Sequence, residues 1–159
     1  MTIKKIRQFV ICLLIPLLVG LVSSLLTTPS IASWYLTLNK PEFTPPNWLF
    51  GPAWTVLFIL MGIALFIIWT KGRNHKKFTT ALGIFSLQLI FNFFWSLIFF
   101  SWHRPDLAFL EIIVLWLLIA INIYYFYKIN KTAGWLLVPY LLWVSFAAVL
   151  NYAVFRLNF

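Results

Sequence analysis

Long runs of apolar residues, separated by short polar segments, make up most of the chain. A helix needs about 20 apolar residues to cross a hydrocarbon core about 30 Å thick, and five runs are long enough. Segments of alternating apolar and polar residues, which would indicate transmembrane β-strands, do not occur. The pattern therefore predicts an all-α membrane protein, with one five-transmembrane-helix bundle over residues 1–159. The predicted helices cover residues 7–28, 47–70, 79–101, 106–127 and 133–156.

The connections between these runs are short except the first, which covers residues 29–46 (PSIASWYLTLNKPEFTPP). Its closing prolines, Pro45 and Pro46, are typical of the first turn of a helix, where a missing N–H costs no hydrogen bond. Residues 31–38 allow a short interfacial helix, and Trp48 is typical of an aromatic anchor at the headgroup level. We expect the 29–46 loop to cap the pocket described below.

The composition agrees with a chain embedded in lipid. Of its 159 residues, 63% are hydrophobic and 9% are charged, whereas soluble domains have about 45–50% apolar and about 25% charged residues. The net charge of +9 would suggest nucleic acid in a soluble protein, but the basic residues lie between apolar runs. We therefore expect no nucleic-acid partner. The first apolar run lacks a small-residue cleavage site and is interpreted as a retained helix, not a signal peptide.

Lysine and arginine are unevenly distributed over the polar segments. Nine of the twelve lie on one side of the predicted topology, within residues 4–7, 71–77 and 128–131. Because basic loops stay on the cytoplasmic side, this distribution predicts a cytoplasmic N-terminus, with the first loop and the C-terminus outside. A bacterial cell membrane is the host we expect.

Two carboxamides lie near the middle of the third span, where polar groups are costly and usually face protein or a cavity. Gln88 and Asn92 are about 40° apart around a helix, and Trp95 follows in the same stripe. Two interpretations of the carboxamides stay open: hydrogen bonds between helices, or contacts with a bound ligand.

Aromatic residues form comparable stripes on the second and fifth spans. Trp54 and Phe58 share one face of the second span, and Trp143 and Ala147 share one face of the fifth. Ordinary packing is the alternative, but a tryptophan in mid-membrane carries an N–H that needs a partner. Together with the third-span stripe, these residues predict an aromatic pocket with few polar groups, the usual composition of a site for a flat hydrophobic molecule.

The remaining polar residues indicate no further chemistry. Glu111 lies about one turn into the fourth span, and we expect it to reach water or Arg104 at the interface. His75 and His103 lie in loops on opposite sides of the predicted topology, and Cys12 is the single cysteine. We therefore expect no metal site, no required cofactor and no catalytic triad.

Three stretches are specific enough to indicate a family. They are WYLTLNKPEFTPPNWLFGPAWTVLFILMG (Trp34–Gly62), LQLIFNFFWSLIFF (Leu87–Phe100) and VPYLLWVSFAAVLNYAVFR (Val138–Arg156). The first resembles the signature of the tryptophan-rich sensory protein and translocator protein family, also called TspO/MBR or the peripheral benzodiazepine receptor. The others resemble the third and fifth helices of that family, so the resemblance covers nearly the whole chain.

The resemblance implies a five-helix bundle, often a homodimer, whose pocket opens toward the first loop. It also implies a pocket that binds porphyrins such as protoporphyrin IX, and synthetic ligands of the benzodiazepine-receptor type. Porphyrin would then be a ligand and not a cofactor. The ligand-binding residues that the family motifs imply are Tyr35, Pro45, Trp54, Phe58, Gln88, Asn92, Trp95, Trp143 and Ala147.

The same resemblance marks a sterol-recognition motif of weak specificity in the fifth span, formed by Leu150, Tyr152 and Arg156. Tyr152 lies about 180° around the helix from Trp143, so a sterol would bind from the lipid side, apart from the pocket. An interfacial pair of Tyr and Arg anchors is the alternative.

Three functions stay open. They are a receptor or sensor involved in tetrapyrrole regulation or stress response, an enzyme for light-dependent porphyrin degradation, and a transporter of porphyrin or sterol-like lipophiles. The resemblance ties the degrading activity to Trp54 and Trp143, whereas the lack of an internal repeat argues against a transporter. Small residues at Ala81, Gly83 and Ser86 would allow close approach of third helices in a homodimer.

Overall fold

The computed structural model describes residues 2–159, and over this range the chain is helical, without strands. Five helical stretches are long and apolar enough to cross a membrane, which confirms the predicted fold class. Four of them agree with the predicted bounds within two residues at each end. The helices are α1 (Ile3–Ile31), α2 (Trp34–Thr37), α3 (Asn47–Lys71), α4 (Phe78–Ser96), α5 (Pro105–Ile129), α6 (Lys131–Trp135) and α7 (Val138–Asn158).

The first spanning helix, α1, is longer than predicted at both ends. The apolar pattern ends it before Pro29, because proline usually breaks a helix. In the structure α1 continues to Ile31. The hydroxyls of Thr27 and Thr28 donate to helix carbonyls one turn earlier, at 2.9 and 2.7 Å. These back-bonds satisfy the two hydroxyls within the helix, so both threonines are accommodated inside it.

The fifth span is not one continuous helix. α6 ends at Trp135 and α7 begins at Val138, although the apolar pattern predicts a single helix. Pro139 provides a physical reason, because it has no N–H to donate to the carbonyl of Trp135. Before the break, the side chain of Asn130 caps α6 by accepting from the N–H of Ala133 at 3.2 Å.

The last turn of the third span is wider than an α-helix. Residues Leu97–Ser101 form a π-helical turn that continues α4. Beyond it, His103 has a positive φ of 54°, and its ring stacks on Trp34 with the centroids 4.3 Å apart. Phe99, within the wide turn, packs edge-on against Tyr35 at 6.2 Å. The turn thus holds α2 against the end of the third span.

The spanning helices form a ring in the order α3, α1, α4, α5 and α7, with α6 packing on α3 to close it. Glycines allow α1 and α3 to approach closely. A Cβ at Gly62 would lie 2.7 Å from the Cα of Leu13, and one at Gly20 would lie 2.3 Å from the ring of Phe58. Gly62 therefore accepts no larger residue without a shift of one helix, and Gly20 accepts none unless the Phe58 ring moves.

The connection between α1 and α3 (residues 32–46) reaches the C-terminal end of α7. There Asn39 and Asn158 exchange two hydrogen bonds of 2.8 Å: the Asn39 N–H donates to Asn158 Oδ1, and Asn158 Nδ2 donates to the Asn39 carbonyl. Phe43 packs edge-on against Phe146 with centroids 6.4 Å apart. These contacts hold the connection over one end of the bundle.

Candidate functional site

A cavity of about 500 Å³ lies inside the bundle, between α1, α3, α4 and α7. Small-molecule sites commonly measure about 300–1,000 Å³. The wall is mostly apolar, with a few hydroxyl and carboxamide groups and no charged side chain among the described residues that form it. Its aromatic residues are Tyr35, Phe50, Trp54, Phe58, Trp95, Phe99, Phe100 and Trp143.

The structure brings together most of the residues that the family motifs imply for ligand binding. Tyr35, Asn92 and Ala147 line the cavity together with Phe58 and the three tryptophans named in those motifs. Burial raises the pKa of the Tyr35 hydroxyl, so this group stays protonated and can donate a hydrogen bond. Binding of a ligand by these residues stays a prediction.

Pro45 and Gln88 do not line the cavity. Pro45 is half-buried in the connection, two residues before Asn47, which does line the cavity. Gln88 is fully buried between helices. Neither residue contacts the cavity directly, and their part in ligand binding stays a prediction.

Gln88 takes part in a hydrogen-bond chain across the bundle. The hydroxyl of Tyr140 donates to Gln88 Oε1 at 2.9 Å, and Asn92 Nδ2 donates to that hydroxyl at 3.1 Å. Of the two interpretations of the carboxamides, hydrogen bonding between helices describes Gln88. Asn92 also bonds to Tyr140, and in addition it lines the cavity. Sequence reasoning missed Tyr140, although a tyrosine at membrane depth needs a partner for its hydroxyl.

A second polar link orients the indole of Trp95. Its Nε1 donates to Asn151 Oδ1 at 3.1 Å, and Asn151 Nδ2 donates to the carbonyl of Pro105 at 2.8 Å. Asn151 is 1% exposed. One buried carboxamide therefore joins α4, α5 and α7 and presents the Trp95 ring to the cavity.

Two polar atoms beside the cavity have no partner among the described residues. Asn92 uses its amide nitrogen toward Tyr140, and its carbonyl oxygen accepts no hydrogen bond. The Nε1 atom of Trp143 is buried and unpaired. Asn92 lines the cavity, so its carbonyl oxygen is a candidate for a hydrogen bond with a bound molecule. Trp143 also lines the cavity, but its Nε1 atom is buried.

Helix α1 contributes to the wall, although the sequence analysis placed no site residue on it. Leu17, Gly20, Ser23 and Thr27 line the cavity, and Ser23 and Thr27 are buried. Gly20 makes room for the ring of Phe58. The signal that could have revealed this face is the spacing of three and four residues between these small and hydroxyl-bearing residues.

The cavity opens between α1 and α3. Leu21 on α1 and Gly51 and Thr55 on α3 line the cavity and are also exposed. A Cβ at Gly51 would meet nothing within 4 Å, in contrast to the tight approach at Gly62. The two helices thus diverge toward the end that carries the connection.

The sterol-type motif is divided between two faces of α7. Leu150 is buried and lines the cavity, as Trp143 and Ala147 of the same helix do. Tyr152 is 47% exposed, and its ring contacts Phe109 at 5.1 Å. Arg156 is exposed. Tyr152 and Arg156 therefore lie apart from the cavity, as predicted.

Glu111 does not reach Arg104, which corrects one of its two predicted environments. Arg104 instead forms a two-point ion pair with Asp106, at 2.8 and 2.6 Å. Both carboxylate oxygens of Glu111 are buried and unpaired, so they do not reach water either. Residues 2–159 contain no group of three or more His, Cys, Asp or Glu side chains that could hold a metal ion.

The small residues predicted for a dimer contact do not share one surface. Ala81 is fully buried, and its carbonyl accepts from Asn122 Nδ2 at 3.3 Å. Gly83 and Ser86 are exposed. Ala81 therefore packs within the bundle, and only the other two remain as residues of a proposed dimer surface.

The fold and the cavity define the class of protein: a helical membrane protein with an aromatic cavity inside a five-helix bundle. The sequence profile of the TspO/MBR family matches residues 12–157. The chain belongs to the TspO/MBR family, which contains membrane sensors and translocators.

Individual relatives agree with this assignment. The tryptophan-rich protein TspO of Chlorobaculum tepidum is 41% identical over 156 residues, which cover 98% of both chains. The tryptophan-rich sensory protein of Cereibacter sphaeroides is 38% identical over 126 residues, 79% of this chain and 77% of its own. The translocator protein of Sus scrofa is 34% identical over 146 residues, 91% of this chain and 86% of its own. These similarities confirm the resemblance found in the sequence.

Proposed function

We propose that this protein is a membrane receptor that binds porphyrins, such as protoporphyrin IX, and takes part in tetrapyrrole regulation or stress response. The observation that supports it best is that Trp54, Trp95 and Trp143 line one cavity. Aromatic faces offer large, rigid contact areas to a flat conjugated ring. The volume and low polarity of the cavity suit the same class of ligand.

The aromatic rings of this wall are arranged as a connected surface. The ring of Trp54 lies 5.7 Å from that of Phe58 at an interplanar angle of 27°. It lies 6.2 Å from that of Trp95 at 38°. A macrocycle placed against Trp54 would therefore contact several rings at once, with Asn92 Oδ1 and Trp143 Nε1 as polar partners.

Several further features belong to the proposal. The 29–46 loop caps the cavity and faces the outside of a bacterial cell membrane. Synthetic ligands of the benzodiazepine-receptor type bind to the same wall. The protein forms a homodimer, and membrane lipid surrounds it. A sterol, where the host membrane contains one, contacts Tyr152 and Arg156 from the lipid side.

The test is a titration with protoporphyrin IX, followed by tryptophan quenching and by the absorption of the porphyrin. An aromatic pair contributes about 0.5–1.5 kcal/mol beyond its buried area, so we expect Trp54→Ala and Trp143→Ala to weaken binding about three- to tenfold. Asn92→Ala removes a polar contact and is expected to weaken binding as well.

Trp48→Ala is the matched control, because Trp48 is 72% exposed and does not line the cavity. It should keep the affinity of the unmodified protein. Undiminished affinity in all three cavity variants would exclude this cavity as the porphyrin site.

A second candidate function is light-dependent degradation of the bound porphyrin. The observation that favours it is the buried, unpaired indole N–H of Trp143 at the wall that also contains Trp54. An indole held against an excited macrocycle is a plausible electron donor or oxygen-adduct partner. Illumination with protein and with detergent alone should then yield different products, and Trp143→Phe should remove the difference. Identical products at identical rates would exclude the enzyme.

A further inference from the structure

The wall of the cavity contains no charged side chain among the residues described, yet a porphyrin of the proposed class carries carboxylates. An isolated carboxylate is costly to bury away from water and pairing partners. The acidic groups of such a ligand must therefore stay at the mouth of the cavity, where a cation could pair with them. The residues around the mouth decide which ligands are accepted.

Lys40 contacts a residue of the cavity wall directly. Its Nζ lies 4.8 Å from the ring centroid of Tyr35, which lines the cavity. The ammonium group donates one hydrogen bond, to the carbonyl of Leu38 at 3.2 Å. Because an ammonium has three N–H donors, two remain for other partners.

The backbone that carries Lys40 is held in place. The neighbouring Asn39 exchanges two hydrogen bonds of 2.8 Å with Asn158. Over residues 2–159 the ion pair within 4.0 Å is the one between Arg104 and Asp106. Lys40 is therefore positioned next to a residue of the cavity wall, and no carboxylate of residues 2–159 lies within 4.0 Å of its ammonium group.

The other cations at this end of the bundle are less suited to pair with a carboxylate of the ligand. Arg104 is paired with Asp106 at 2.6 Å. Arg156 is exposed and lies about 180° around α7 from Ala147, the cavity residue of that helix. Lys40 is the basic residue that combines proximity to the wall with available donors.

We propose that Lys40 pairs with a carboxylate of the ligand, so that the site selects flat hydrophobic molecules that carry an acidic group. This inference rests on the proposed porphyrin-binding function and names a residue that determines its specificity. The aromatic wall holds the ring system, and Lys40 holds the charged end beside Tyr35.

The experiment compares protoporphyrin IX with its dimethyl ester, which has the same ring system and no carboxylates. Dissociation constants are measured for the unmodified protein, Lys40→Met, Lys40→Arg and Lys76→Met. Lys76 is the control, because it is exposed in the turn after α3 and does not line the cavity. Exposed ion pairs are worth up to about 1 kcal/mol, so Lys40→Met should weaken binding of the acid about fivefold. The ester should bind the unmodified protein and Lys40→Met equally. Lys40→Arg should keep the preference for the acid, and Lys76→Met should change the binding of neither ligand.

Each outcome has a separate meaning. An equal loss for acid and ester in Lys40→Met would show that the substitution disturbs the connection, and it would overturn the pairing. Unchanged binding of the acid in Lys40→Met would overturn it as well. Failure of the unmodified protein to bind either ligand would instead overturn the proposed porphyrin-binding function.

Discussion

The indole N–H of Trp95 donates to the side-chain oxygen of Asn151 across 3.1 Å. This bond joins α4 to α7 beside the cavity, and Asn151 continues it to the carbonyl of Pro105 on α5. The orientation of Trp95, which lines the cavity, thus depends on Asn151, a residue that also links α7 to α5.

Substitution of Asn151 by Leu should destabilise the bundle. It leaves the buried Trp95 N–H without its partner, and such a group costs about 1–3 kcal/mol. Thermal unfolding in detergent measures the effect. The double variant Trp95→Phe/Asn151→Leu should lose less than the sum of the two single variants, because it removes both partners of the bond. Additive losses would show that the bond contributes nothing.

Substitution of Tyr140 by Phe should also lower stability. The hydroxyl of Tyr140 serves both Gln88 and Asn92, and both carboxamides are buried. The loss of one buried partner costs about 1–3 kcal/mol. Tyr152→Phe is the control, because Tyr152 is 47% exposed. Equal melting temperatures for the two variants would contradict the prediction.

Two glycine-to-alanine substitutions should differ sharply in their effect on the stability of the bundle. A Cβ at Gly62 would lie 2.7 Å from the backbone of Leu13, whereas one at Gly83 would meet nothing within 4 Å. Overpacking of this kind costs about 1–3 kcal/mol, while Ala is favoured over Gly in a helix by about 1 kcal/mol. We therefore expect Gly62→Ala to lower the melting temperature and Gly83→Ala to keep or raise it. The reverse order would contradict the close packing of α1 on α3.

Removal of the Asn158 side chain should loosen the connection without melting the bundle. Asn158→Ala breaks both bonds to Asn39, each worth about 0.5–1.5 kcal/mol. Hydrogen–deuterium exchange should accelerate in residues 32–46 and stay unchanged in α3 and α5. Asn74→Ala, in the exposed turn after α3, is the control. Unchanged exchange in residues 32–46 would show that other contacts hold the connection.

Much of the cavity could be predicted before the structure was known, because its residues recur at helical spacing. Trp54 and Phe58, like Trp143 and Ala147, are four residues apart, so each pair shares a face wherever its helix packs. The inward face of α4 could also be predicted. A polar group is costly in lipid, and this cost orients Asn92 toward protein.

The contacts of Gln88 could not be predicted, because they join two helices. The sequence offers no means to decide that Gln88 bonds to Tyr140. Such a pairing depends on helix rotation and crossing, which are set by packing at sites such as Gly62. The pair of Arg104 with Asp106 is local, two residues apart at the start of α5, and the sequence analysis overlooked it.

The sequence by itself determined the five spans and the tryptophan stripes, because hydropathy and helical periodicity are local properties of consecutive residues. Only the tertiary structure decided that α1 lines the cavity, that Gln88 bonds to Tyr140, and that Lys40 lies against Tyr35. These relationships join residues far apart in the chain, and they arise from how each helix is rotated against its neighbours.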